Sequence, residues 1–234
     1  VRTNFNIAVF WAAHPLFIVF ADFNLVWVLT GVIWSWITFV VGLQIGAHRY
    51  FTHTSFSTGP VRSAALNFLT LLPCMGTPQD WIVAHVYHHR HADTQLDPTN
   101  VRAIGLWKNY SSLWQKNVPL TAETTRLVVR SLKSNTAKFF FKNYVLVVAS
   151  WASLLLLLSP QAFVWLFLLP VLVGHWGMNL LNHIGHSEDG PTTSRLFNLV
   201  TPGDGFHKFH HENPRAYRFG RGDLLAKIID VFFK

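Results

Sequence analysis

The sequence predicts an all-α integral membrane fold: four transmembrane helices in two hairpins, with a cytosolic helical cap that carries histidine clusters. Three observations predict it. Half of the 234 residues are hydrophobic and only 13% are charged, against a soluble norm of about 25%. Four stretches are apolar enough to cross a bilayer, which takes about 20 helical residues. Most of the thirteen histidines stand in tight clusters that flank those stretches and do not interrupt them.

The spans are expected at about 4–21, 25–46, 143–159 and 162–181. Ala21-Asp22-Phe23-Asn24 separates the first two and Ser159-Pro160-Gln161 the last two, each a tight turn. Segment 47–142 carries eleven of the nineteen Lys and Arg residues, the tail after residue 186 seven, and the two turns none. The positive-inside rule then puts both termini, 47–142 and 182–234 in the cytoplasm. These two segments form the cap of a single domain covering 1–234. The first apolar stretch lacks a basic leader and a small-residue cleavage site, so no cleavable signal peptide is expected. The chain starts at Val1, which leaves further residues upstream open.

Within the cap, residues 60–75 open at Pro60 and stay apolar for about four turns. That is too short to span and suits an interfacial helix. Residues 121–138 open at Thr121, a good N-cap. Arg126, Arg130, Lys133 and Lys138 lie between apolar positions there, the pattern of a helix lying on lipid phosphates; an anionic substrate head group is the alternative.

Composition also excludes. The net charge of +8 belongs to a membrane surface, since no soluble basic domain for nucleic acid is present. One cysteine, Cys74, permits neither a disulfide framework nor a thiolate metal site. Any metal must therefore be held by imidazole, amide or carboxylate.

The clusters supply imidazole. His85, His88 and His89 repeat at i, i+3 and i+4, and so do His207, His210 and His211, so each trio shares a helix face. His48 and His53 are five apart, about 140° around an ideal helix; they converge only if the helix ends or bends. On the fourth span His175, Asn179, Asn182 and His186 form one polar stripe, which should face the protein interior. Nine aligned histidines (48, 53, 85, 88, 89, 186, 207, 210 and 211) exceed what one ion needs. Two ions sharing them, with an amide or water each, keep open positions, and open imidazole-rich sites suit iron. His14 reads as a satisfied buried histidine, His183 as a local hydrogen-bonding group, and His91 as a loop group beside the ligands. Asp93 and Asp97 either orient ligand imidazoles or cap the next turn; Asp204 is similar.

These residues resemble the membrane-bound fatty acyl desaturases of the stearoyl-CoA, or delta-9, type, over nearly the whole chain. Gly46-Ala47-His48-Arg49 with His53 is similar to that family's H-x4-H box. His85-x-x-His88-His89, with Asp93 and Asp97-Pro98 downstream, resembles its H-x-x-H-H box, and Gly203-Asp204-Gly205-Phe206-His207-x-x-His210-His211 its third box. Asn182-x-x-x-His186 matches an extra Asn and His ligand pair. The resemblance implies a mushroom-like four-span fold with a cytosolic cap. It implies a di-iron site of His48, His53, His85, His88, His89, His186, His207, His210 and His211, with Asn182 binding through water. It implies O2-dependent insertion of a cis double bond at delta-9 of a saturated acyl chain carried by coenzyme A, carrier protein or lipid. Electrons would come from cytochrome b5 or ferredoxin; no fused b5 segment is visible. Val86, Thr99 and Asp204-Gly205-Phe206 depart from the family's common residues. None removes a ligand; they bear on head-group and carrier contacts.

Breaking an unactivated C–H bond exceeds what side chains supply alone, so the protein's task is placement in a narrow apolar tunnel. Trp34 and Trp36 are bulky enough to limit its length; packing or lipid contact is their alternative role. A lipid hydroxylase on the same scaffold is the nearest rival function. A membrane metal-binding or transport protein is a further one, although transporters place polar ligands near the midplane.

Overall fold

A computed structural model describes residues 2–201 and 203–234, with the backbone alone for Phe197, Leu199 and Val200. Among these residues the chain is nearly all helix. The only strands are β1 (His186–Ser187) and β2 (Gly190–Pro191), an antiparallel pair.

Helix α1 (Arg2–Phe20) and α2 (Leu25–Ile37) form the first hairpin, and Asn24 caps α2 by accepting from the Val26 amide. Helix α2 runs on without a break as π-helical turns, Thr38–Thr52. Three helical runs are long and apolar enough to cross a membrane: Arg2–Phe20, Leu25–Thr52 and Pro160–Ile184. The second outlasts the expected 25–46 because the wider turns carry the chain on to His53. The third expected span, 143–159, is α9 (Tyr144–Leu158), only 15 residues, or about 22 Å. It reaches spanning length only together with α8 (Asn135–Lys142), and the pair bends by 75°. The last run comprises α10 (Pro160–Phe163), the π-turns Val164–Leu168 and α11 (Leu169–Ile184).

The two hairpin turns meet at one end. The Asp22 backbone amide donates to Gln161 Oε1, Gln161 Nε2 donates to Phe20 O, and Trp165 Nε1 donates to Asp22 O. Leu25, Val26, Leu29, Val32, Ile33, Leu157 and Leu158 point outward, well exposed; so large an apolar surface suits lipid.

At the other end sit α3 (Pro60–Leu71), α4 (Pro78–His91), α5 (Val101–Ile104), α6 (Leu106–Tyr110) and a 3-10 turn, Leu113–Asn117. After them come α7 (Ala122–Ser131), α12 (Arg195–Val200), a 3-10 turn at Asp204–Phe206, α13 (His207–Glu212) and α14 (Leu224–Phe232). Helix α3 crosses the π-turns closely: a Cβ on Gly42 would lie 2.5 Å from Leu69 O, so only glycine lets the backbones meet. The expected helix 121–138 is two helices. Thr121 caps α7 in a box with Thr124, and Ser134 accepts from the Ala137 amide to start α8. A second good N-cap inside the run broke it, because the serine oxygen offers the backbone a local alternative to helix.

Candidate metal centre

Each histidine cluster is delivered by a different element. In the π-turns hydrogen bonds close over five residues, and the His53 amide donates to His48 O at 3.1 Å. His53 therefore stacks one turn above His48, with ring centroids 4.9 Å apart. The expected convergence is real, and a widened helix brings it about instead of a bend. On α4, a capping box of Thr77 and Asp80 with Pro78 at the first turn fixes the helix start. His85, His88 and His89 then fall on the inner side. His186 follows α11 in β1. His207, His210 and His211 sit on α13.

All nine expected ligands converge, in two groups. His48, His53, His85, His89 and His210 form one; His88, His186, His207 and His211 form the other. Within each, the candidate ligand atoms lie within 4.8 Å of one another, and each group could hold a metal ion. Nε2 atoms face Nε2 atoms: His48 and His210 at 2.9 Å, His85 and His89 at 2.9 Å, His186 and His207 at 2.9 Å. Asn182, on α11, stands in neither group. It donates to Asn109 Oδ1 at 3.3 Å and lines a cavity together with His186 and His207.

Burial keeps the imidazoles neutral. Burial first, then neighbouring imidazoles, hold His85, His207 and His210 well below the usual histidine range. Burial, then Arg49 and His88, brings His53 down to about 3. Burial and then His88 bring His89 down to about 2. His211 is lowered for the same reasons. A neutral ring keeps a lone pair for a cation.

Two carboxylates settle the tautomers. Asp97 Oδ2 lies 2.9 Å from His88 Nδ1, and Asp93 Oδ1 lies 3.0 Å from His186 Nδ1. Burial alone would raise the Asp97 carboxyl, but bonds from His88 and Thr99 hold it below its ordinary value. An ionised carboxylate only accepts, so Nδ1 carries a proton on these rings and Nε2 is the ring atom turned inward. His186 Nε2 then faces His207 Nε2. Metal–nitrogen bonds of about 2.0–2.1 Å at right angles put donors about 3 Å apart, which matches the observed spacings. The residues present therefore fit imidazole-ligated metal ions. Of the two open roles, orientation fits Asp93, while Asp97 fills both: its Oδ2 faces the His88 ring and its Oδ1 accepts from the Thr99 amide at 2.9 Å, capping the next turn. Thr99 also serves orientation, its hydroxyl donating to Asp97 Oδ1 at 2.8 Å.

The bystanders separate as expected. His14 Nδ1 faces Phe10 O, and Trp176 Nε1 donates to its Nε2, although the ring is only half-buried. His183 Nδ1 meets the Tyr110 hydroxyl at 2.8 Å. His91 packs on Tyr87 and joins neither group. The polar stripe faces inward: His175 bonds Ser112 and Cys74 O, and Trp114 Nε1 donates to Asn179 Oδ1 at 2.9 Å.

Sequence reasoning missed Arg49. Its side chain is 0% exposed and donates to Asp223 Oδ2 at 2.8 Å and to Tyr217 O at 2.6 Å. It lies 3.9 Å over the Phe219 ring, which sits 4.8 Å from the ring of His210. Asp204 is buried in the same place, where Arg49 and Asp223 are the charges that act on it. Burial, eased by Arg49 and worsened by Asp223, pushes its carboxyl up to about 8. A basic residue at the end of a span reads as membrane-facing, so nothing in the sequence flagged it.

A cavity of about 380 Å³ reaches the histidines from one side. Trp81, Trp114, Met178 and Leu181 line it, and His85, His88, His186 and His207 close its inner end. Trp34 and Trp36 do not. Trp34 donates to Leu166 O and packs on Trp151, and Trp36 is 39% exposed on the outer face. Their alternative role is the one observed.

A family model described as fatty acid desaturase matches residues 24–229. The chain is 29% identical over 212 residues to the sn-1 stearoyl-lipid 9-desaturase of Anabaena variabilis, covering 86% of this chain and 78% of that protein. It is 28% identical to the sn-2 palmitoyl-lipid 9-desaturase of Nostoc sp. (strain 36), covering 79% and 69%. It is 26% identical to acyl-CoA desaturase 1 of Saccharomyces cerevisiae, covering 76% of this chain but 38% of the yeast protein.

Proposed function

The chain belongs to the fatty acid desaturase family, and from that premise we propose that it inserts a cis double bond at delta-9 of a saturated acyl chain, using two iron ions and O2. The observation that carries this reading is the convergence of nine imidazoles, in groups of five and four, at the inner end of an apolar cavity. One iron would be held by His48, His53, His85, His89 and His210. The other would be held by His88, His186, His207 and His211, with Asn182 through a water. Bound iron supplies, with O2, the oxidising power that an unactivated methylene C–H bond requires.

The chain's own residues do the placing. Trp81, Trp114, Met178 and Leu181 give the cavity an apolar wall that holds the acyl chain and excludes water. The Asn179 carbonyl fixes the Trp114 indole, so that wall is rigid. Asp97 and Asp93 hold His88 and His186 in one tautomer and one orientation. Arg2, Gln79 and Asp80 form the polar end of the cavity, where a head group would stay outside. The 9-desaturases above are named for lipid-linked acyl chains, which favours a lipid carrier over coenzyme A or carrier protein. Cytochrome b5 or ferredoxin would supply electrons.

We read the whole chain as one membrane domain. The bent pair α8–α9 supplies the third of four spans, and both termini and the histidines face the cytoplasm, as the distribution of Lys and Arg favours. The test is expression in a host of known lipid profile, with new double bonds located by mass spectrometry and His88→Ala as control. New delta-9 alkenes that vanish in the variant are expected. Hydroxylated chains instead would make it a hydroxylase, and an unchanged profile despite iron loading would end the reading.

A further inference from the structure

The polar stripe of α11 continues into a buried network that reaches Asn182. Asn109, Ser112, His175 and Asn179 are all fully buried, on α6, just after it, and on α11. Groups that can only donate or only accept fix the direction of each hydrogen bond. The Asn179 main-chain carbonyl only accepts, and it lies 2.8 Å from the Asn109 side-chain amide. The atom facing it is therefore Nδ2, which leaves Asn109 Oδ1 for Asn182. That oxygen only accepts too, so Asn182 presents its own Nδ2 there, at 3.3 Å. The Asn182 carbonyl oxygen is then the amide atom that remains for the cavity, which Asn182 lines beside His186 and His207. Both histidines belong to the four-histidine group.

Asn179 is oriented independently. The Trp114 indole only donates, so the Asn179 atom 2.9 Å from it is Oδ1. Asn179 Nδ2 is thereby turned to Ser112 Oγ, also at 2.9 Å. His175 closes the chain, with Nε2 at 3.1 Å from the Cys74 carbonyl and Nδ1 at 2.9 Å from the Ser112 hydroxyl. With the one proton of a neutral ring on Nε2, Nδ1 accepts from Ser112. Each contact pairs a donor with an acceptor, so one orientation satisfies them all.

Nothing in Asn182 itself makes that choice, because the last torsion of an asparagine is broad and roughly two-fold. The choice matters for a cation. An amide oxygen accepts from a water whose own lone pair is turned to the metal, whereas an amide NH2 would set its hydrogens against those of the water. We propose that Asn109 is a positioning residue, which turns the Asn182 oxygen and not its NH2 toward the four-histidine group; this rests on the two-iron reading above. A plain buried tie between α6 and α11 would need only the bond from Asn109 to Asn179, and the two roles predict different outcomes.

The experiment is a double-mutant cycle on the full chain in phosphatidylcholine nanodiscs, with Asn109→Leu, Asn182→Asp and the pair. Iron is titrated in and each ion is followed by its own Mössbauer signal; the unfolding midpoint of the metal-free protein is measured beside it. Thr38→Val, which loses a buried hydrogen bond to Ser35 O, is the stability control. Asn109→Leu alone should weaken one of the two ions about tenfold or more and leave the signal of the other unmoved. In Asn182→Asp both terminal atoms are oxygens, so orientation no longer depends on Asn109. On that background Asn109→Leu should change iron affinity by no more than about twofold. Thr38→Val should lower the midpoint and move neither ion. Equal losses on the two backgrounds overturn the proposal, as do equal weakening of both ions and unchanged affinity for both. If Asn109→Leu does not fold, Asn109→Ala, which also removes the acceptor, carries the same cycle. Two irons bound with no alkene formed from dithionite and O2 defeat the desaturase reading, while the cycle still decides the role of Asn109. Fewer than two irons in the unsubstituted chain overturn both.

Discussion

Asp223→Asn asks whether charge holds the C-terminal segment to the histidines. Arg49 and Asp223 are 2.8 Å apart with both side chains 0% exposed. At an effective dielectric of 20 that separation gives about 6 kcal/mol of attraction, largely offset by desolvation of both ions. Removing one partner leaves the desolvation cost without the attraction, about 3–5 kcal/mol. Asparagine keeps the volume and an oxygen for the Ala226 amide, so the α14 cap survives. The expected loss is therefore about 3 kcal/mol, the low end. One neighbour softens it: without Asp223 beside it, Asp204 can ionise and pair with Arg49. Adding Asp204→Asn should thus deepen the loss toward about 5 kcal/mol. Neutralising both members, Arg49→Met with Asp223→Asn, should recover most of it, since no buried charge is left alone. The assay is the unfolding midpoint in detergent, with bound iron measured in parallel because Phe219 packs between Arg49 and His210. The reasoning is refuted if Asp223→Asn unfolds with the unsubstituted chain, or if the double neutralisation is the worst of the set.

Other perturbations follow from the same contacts. Asp97→Asn frees the His88 ring, and metal affinity should fall about 10–100-fold; iron titration checks it, and unchanged affinity refutes the orienting role. The metal-free protein should lose stability as pH falls. The folded values of His53 and His89 lie at about 3 and about 2, below the unfolded value of about 6.5. Between these limits the unfolded chain binds more protons, so stability drops by up to about 1.4 kcal/mol per pH unit per histidine. Unfolding midpoints from pH 7.5 to 4 test this, and a flat profile contradicts it. Asp204, raised to about 8, has the opposite sign and partly offsets the slope, since its stability is lost as pH rises. Trp114→Ala enlarges the cavity wall and should shift product chain length, whereas Trp36→Ala should leave it unchanged; fatty-acid profiling separates them, and the reverse pattern would reinstate the second span as the limiter.

The two histidine groups were legible because their signals are local. Helical spacing alone aligned the trios on α4 and α13, and the stripe from His175 to His186 pointed inward because polar groups avoid lipid. The turns at 21–24 and 159–161 were readable for the same reason, as polar breaks in apolar runs. The 75° bend at Asn143 was not, nor the break at Ser134, because composition fixes a helix's length more weakly than its existence.

Hydropathy and spacing by themselves thus marked out a mostly helical protein with several helices apolar enough to cross a membrane, and the nine imidazoles that the fold brings together; Asn182 stands outside both groups. Tertiary structure decided how nine became five and four. It decided which carboxylate faces which ring, that Arg49 points inward to Asp223, and that Trp114 and not Trp34 walls the cavity. Most of these join residues far apart in the chain, up to 174 positions for Arg49 and Asp223, or depend on a non-standard helical turn. A periodic pattern carries the direction of a side chain relative to its own helix, and nothing about what another helix brings to meet it.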